Sequence, residues 1–123
     1  MTILISSAIA LGAGDVQARQ VTASPDAAFL QNAGQAAEAE IALASLAQKQ
    51  AADARIKALA DVLKRDHEAA RTELQKLAKL RKAELTAMTV AQLATHNQLE
   101  KMTGKDFDRA WVDAIIELHR ETR

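Results

Sequence analysis

Three residues of this 123-residue chain could do chemistry together: Glu40, His67 and His119. One carboxylate and two imidazoles form a donor set that suits zinc, iron or copper, and helix bundles build metal sites from such groups on facing helices. The same three groups could equally satisfy one another, because an imidazolium beside a buried carboxylate neutralises it. The residue types leave both readings open. A ferritin-type di-iron centre is excluded, since it needs Glu three residues before each histidine and those positions hold Lys64 and Ile116. Asp66 and Asp108 neighbour inward-facing positions and could orient a histidine through its second ring nitrogen. Each could also be a surface or helix-start charge. His96, in Ala-Thr-His-Asn-Gln, has polar neighbours and reads as exposed.

Other chemistries lack their residues. The chain has no cysteine, which removes disulfides, thiolate nucleophiles and thiolate metal ligands. It has no Gly-x-Ser-x-Gly elbow and no glycine-rich phosphate loop, so no catalytic residue set is legible and an enzyme is not expected. Sixteen Lys and Arg balance sixteen Asp and Glu. Without a net positive field the sequence gives no reason to expect nucleic-acid binding. The basic cluster Lys76, Lys79, Arg81 and Lys82 reads instead as cations complementing a helix C-terminus.

The elements that must position the triad are helical. Twenty-eight alanines stand beside four glycines and one proline. Strong helix formers therefore dominate while turn residues are too sparse for a sandwich or barrel. Ser24, Pro25 and Asp26 open a first helix that runs to about Gln50, with Phe29, Ala33, Ala36, Leu43 and Ala47 on one stripe. Glu40 falls on that stripe, and Gly34 should allow close approach of another helix. Asp53 can cap a second helix that reaches Arg81 or beyond. It carries Ile56, Leu59, Leu63, Ala70, Leu74, Leu77 and Leu80 on one side, and His67 points the same way. Thr89 and Gln92 form a capping box for a third helix ending near Met102. Gly104 is expected as its left-handed C-cap and Asp106 as the N-cap of a fourth helix. That helix should bury Phe107, Trp111, Ala114, Ile115 and Leu118, with His119 on the edge. The fold class is thus all-α, an up-down four-helix bundle with two helices of about 40 Å and two of roughly 20 to 27 Å. Short helices cannot cover long ones, so part of the long hairpin stays exposed or is covered by a second copy, an envelope partner or further sequence.

The first eighteen residues have a different character. Thr2 to Ala13 is an uncharged apolar run of twelve, too short to span a bilayer but of the length of a signal-peptide core. Val16, Gln17 and Ala18 give a small-residue cleavage pattern, although no basic residue precedes the run. The division that follows is a signal peptide over residues 1–18, a lead-in over 19–23 and a bundle domain over 24–123, with the mature chain in the periplasm or envelope.

The stretches AEIALASLA (Ala39 to Ala47), VLKRDHEAARTELQKLA (Val62 to Ala78) and FDRAWVDAIIELH (Phe107 to His119), the last preceded by Gly104, resemble a bacterial family, domain of unknown function 4142. The resemblance runs from about Ser24 to Arg123. It implies a ferritin-like helix bundle, export to the periplasm or outer membrane, and no established activity. Members usually carry Asp before the second histidine, where Leu118 stands, and Tyr where this chain has Trp111. They also continue through a further helical stretch with another histidine, so the resemblance implies a C-terminally shortened member. The expected function is a structural or interaction module of the envelope, and the alternative is a single divalent metal ion held by Glu40, His67 and His119.

Overall fold

The computed structural model describes residues 25–122, so the signal-peptide and lead-in assignments and the Ser24 cap lie outside the described residues. Four helices follow in order: α1 Pro25–Gln50, α2 Ala54–Leu80, α3 Val90–Glu100 and α4 Gly104–Glu121. Three side-chain links show that α2 returns along the whole of α1. Gln48 donates to Asp61 at 2.6 Å, Arg71 pairs with Glu38 at 3.3 Å and Arg81 with Asp26 at 3.0 Å. At the turn, Gln50 donates to the carbonyls of Glu100 and Met102 at 3.0 and 2.8 Å, which sets the end of α3 beside the end of α1. Helix α4 then runs back along α1, from Asp108 beside Ala52 to Trp111 beside Leu43. This is the expected up-down-up-down order.

The core lies at one end of the long hairpin. It gathers Ala39, Leu43, Ala44, Leu46, Ala47 and Ala51 of α1 and its turn against Phe107, Trp111, Ile115 and Leu118 of α4, with Leu99 and Ala60 closing the sides. Trp111 and Phe107 are fully buried, and the indole donates to the Leu43 carbonyl at 2.8 Å. Helix α1 is covered from two sides and buries residues around much of its circumference, which is how an all-round apolar helix is accommodated. Helix α2 touches mainly α1 and buries only Ala60 and Ala78. Its stripe residues Leu59, Leu77 and Leu80 are therefore exposed, and so is Phe29 at 64%. The sequence places all four in an apolar face, but α3 and α4 are too short to reach Phe29, Leu77 and Leu80 at the far end of the hairpin, and at the core end α2 packs through Ile56, Ala60 and Leu63, which leaves Leu59 outside.

Helix boundaries follow capping chemistry with two corrections. Asp53 accepts from the Arg55 amide at 2.8 Å as the N-cap of α2, and the Arg55 guanidinium holds its carboxyl down at about 2. The Thr89–Gln92 capping box is present in both directions. Helix α3, however, ends at Glu100, and Gly104, although left-handed at φ +65°, opens α4 rather than closing α3. Asp106 sits in the first turn of α4, behind an N-cap Thr103 that makes no side-chain bond. Gly34 does permit close approach, but of the linker after α2 and not of a helix: a Cβ there would lie 3.1 Å from Leu85 Cδ2.

The C-terminus of α2 offers a stability test. Lys82 takes the left-handed conformation at φ 52°, and the Ala83 amide donates back to the Ala78 carbonyl at 2.9 Å, which is a Schellman closure with Lys where glycine is favoured. Lys82→Gly should raise the unfolding free energy by about 0.5–1 kcal/mol in urea titration. A loss of stability would mean that the left-handed residue is held by contacts of the lysine side chain.

Candidate metal centre

The triad converges where α1, α2 and α4 meet. Glu40 lies in the middle of α1 with its side chain only 3% exposed, walled by alanine and leucine. His67 of α2 brings Nε2 to 2.8 Å from Glu40 Oε2, and His119 of α4 brings Nε2 to 3.2 Å from Oε1. The two rings are 24% and 47% exposed, so the carboxylate is the buried floor and the imidazoles form a partly open roof. The two rings and the carboxylate offer one ligand atom per residue, all within 4.8 Å of one another. A metal about 2.0–2.2 Å from each donor would hold donors roughly 3.3 Å apart, close to the 2.8 and 3.2 Å nitrogen–oxygen separations already present.

What orients the rings decides their chemistry. His67 Nδ1 lies 2.8 Å from the Leu63 carbonyl and His119 Nδ1 lies 2.8 Å from the Ile115 carbonyl, each four residues back on the same helix. A carbonyl only accepts, so each Nδ1 must carry the proton. Each Nε2 then aims a lone pair at Glu40 unless a proton or a cation stands between them. The Oε2 contact is short yet Oε2 makes no hydrogen bond of good geometry, although it is buried. Two tautomer-locked imidazoles around an imperfectly satisfied carboxylate form a ligand set more readily than a well-made hydrogen-bonded network.

The orienting role that the sequence suggests for Asp66 and Asp108 therefore belongs to two backbone carbonyls. Asp66 is exposed, 3.5 Å from Arg65. Asp108 is buried but accepts from the Ala52 and Asp53 amides at 2.9 Å each, tying α4 to the start of α2. Periodicity cannot reveal either outcome, since one depends on a helix from a distant part of the chain and the other on main-chain atoms. His96 is half-buried on α3 with Nδ1 3.5 Å from Asn97 Oδ1, and it takes no part in the triad.

The Glu40 carboxylate 2.8 Å away is the largest influence on His67 and, by favouring the protonated ring, raises its pKa above 6.5 against desolvation. A raised histidine pKa stabilises the fold fully below the unfolded value of 6.5, and this contribution is lost as pH climbs through the folded value. The metal-free protein should accordingly lose melting temperature as pH rises from about 6 to about 9, and His67→Gln should flatten that slope. An equal slope in the variant would assign it to other groups.

The triad forms one end of an open groove of about 860 Å³ between α1 and α2. Among the described residues no helix is long and apolar enough to cross a membrane. A search of the curated proteins found no match, and neither did a search of the solved structures. The family model described as a domain of unknown function (DUF4142) matches residues 12–123, which takes in all four helices and all three members of the triad. The chain belongs to that family.

Proposed function

We propose that this protein binds a single divalent transition-metal ion through Glu40, His67 and His119. The observation that carries this reading is the pair of Nδ1-anchored imidazoles whose free Nε2 atoms both face one buried carboxylate. Two histidines and a glutamate suit zinc or ferrous iron, and a three-residue site leaves a coordination position for a further ligand. The donors come from three helices, so a bound ion would link α1, α2 and α4. Elemental analysis of the purified protein should find about one equivalent of metal, or of added zinc, iron or copper, per chain. His67→Ala with His119→Ala should abolish it, because removing a donor costs more than the roughly 10–100-fold that loss of an orienting partner costs. A folded, metal-free preparation that refuses all three ions would overturn the assignment.

The setting we propose for this activity is the periplasm or envelope. It is supported by the apolar run Thr2 to Ala13 and the Val16-Gln17-Ala18 triplet, and the mass of the exported form, beginning at Arg19, is the measurement that checks it.

A further inference from the structure

The groove that ends at the triad has a shape and a lining of its own. On α1 it is walled from Phe29 to Glu40 and on α2 from His67 to Leu77. Because the two helices are antiparallel, Glu40 and His67 share one end while Phe29 and Leu77 share the other. The eleven helical steps from Phe29 to Glu40 correspond to a trough of about 16 Å. Its walls are apolar over most of their exposed area, at Ala33, Ala36, Ala70 and Leu74, with Asn32 and Gln35 of α1 and Gln92 of α3 as polar members. The end of α4, at Leu118 and His119, closes the trough at the triad. The far end stays open to solvent, with Phe29 and Leu77 exposed.

We infer that this trough binds an alkyl carboxylate, with the head on the metal held by the triad and the chain along α1 and α2; the inference rests on the metal-binding reading above. A divalent ion beside one carboxylate and two neutral imidazoles retains a net charge of +1, which favours an anion as the next ligand. The trough supplies apolar contact for whatever that anion carries. A peptide is a poorer occupant than an alkyl chain. The α1 and α2 walls are helices whose main-chain groups are already paired internally, so an extended backbone could not add to them as a strand and would have only lining side chains such as Asn32, Gln35 and Gln92 as partners. Glu73 also lines the trough, but it is an exposed rim residue already paired with Lys76 at 2.9 Å. Glu121 stands at the open edge near His119 and is likewise exposed. Neither blocks the position between Glu40 and the two Nε2 atoms.

Calorimetric titration of the zinc-loaded protein tests this, with decanoate, acetate, 1-decanol and decylamine as probes below their aggregation limits. Decanoate should bind the loaded protein at least about 100-fold more tightly than acetate, since each buried methylene is worth roughly a fourfold gain. It should also bind the loaded form far more tightly than the metal-free form. Leu77→Glu and Ala70→Glu, both at exposed helix positions, should weaken decanoate more than about tenfold while leaving the zinc titration unchanged. Equal affinity for acetate and decanoate would remove the chain site, and decanol matching decanoate would remove the head from the metal. Preference for decylamine, or for an apolar peptide, would overturn the ligand class, and a dimer that excludes decanoate would assign the trough to a second copy. Failure of zinc itself to bind would be seen in the preceding zinc titration and would fall on the metal reading instead.

Discussion

Trp111→Ala should remove about 3–5 kcal/mol of stability, enough to leave the protein largely unfolded if its total lies at the lower end of the usual 5–15 kcal/mol. The indole is completely buried in the core to which α1, α3 and α4 all contribute, together with Leu43 and Phe107, and its N–H is satisfied by the Leu43 carbonyl. Alanine would leave a large void in a core built mainly of small residues, which have little reach to collapse into it. Trp111→Phe separates the two contributions. It keeps most of the apolar volume but gives up the hydrogen bond, and should cost about 1–3 kcal/mol. Denaturant unfolding followed by circular dichroism checks both, because the chain has no second tryptophan to report by fluorescence. A loss below about 1 kcal/mol for the alanine variant would mean that the fold is held chiefly by the α1–α2 hairpin.

The second large effect is a divergence between binding and stability at Glu40. Glu40→Leu should abolish metal binding, yet at about pH 9, where the His67 contribution described above is lost, leave the metal-free protein at least as stable as the parent. The carboxylate is buried among alanine and leucine, and a leucine of similar size would suit those walls while the two partly exposed imidazoles turned to solvent. A group placed there for packing or fold strength would behave in the opposite way. Breaking a buried ion pair that served as a strut would cost about 3–5 kcal/mol. Unfolding curves of the two metal-free proteins, set beside their zinc titrations, distinguish the cases. In the parent, zinc at a hundred times its dissociation constant should add about 2.7 kcal/mol, and in Glu40→Leu it should add nothing.

Much of the architecture is written in local chemistry. Asp53, and Thr89 with Gln92, mark helix starts through side chains that bond amides two or three residues away, and such short-range signals survive any tertiary arrangement. The triad is legible for a related reason: seven- and four-residue spacings place Glu40, His67 and His119 on apolar stripes, and inward stripes of a bundle have to meet. What the spacing does not encode is cover. Phe29, Leu77 and Leu80 have the periodicity of buried residues, but burial needs an opposing surface, and α4 ends beside Glu40. The partners of Asp108 lie more than fifty residues away, so its capping of the α2 start leaves no local trace. Gly104 shows the limit of type alone, since a left-handed glycine can stand before a helix as well as after one.

The one-sided placement of the core has a consequence for how this molecule breathes. Around Trp111 the backbone is shielded by three helices, while the stretches from 25 to 35 and from 70 to 80 are held mainly to each other and to the linker at Leu85. Amide protons of the first region can exchange only when the whole fold opens, and those of the second need only a local separation of two helix ends. Glu40, His67 and His119 stand on the border between these two cooperative units. An ion bound there would couple them, carrying protection from the slowly exchanging half into the fast one.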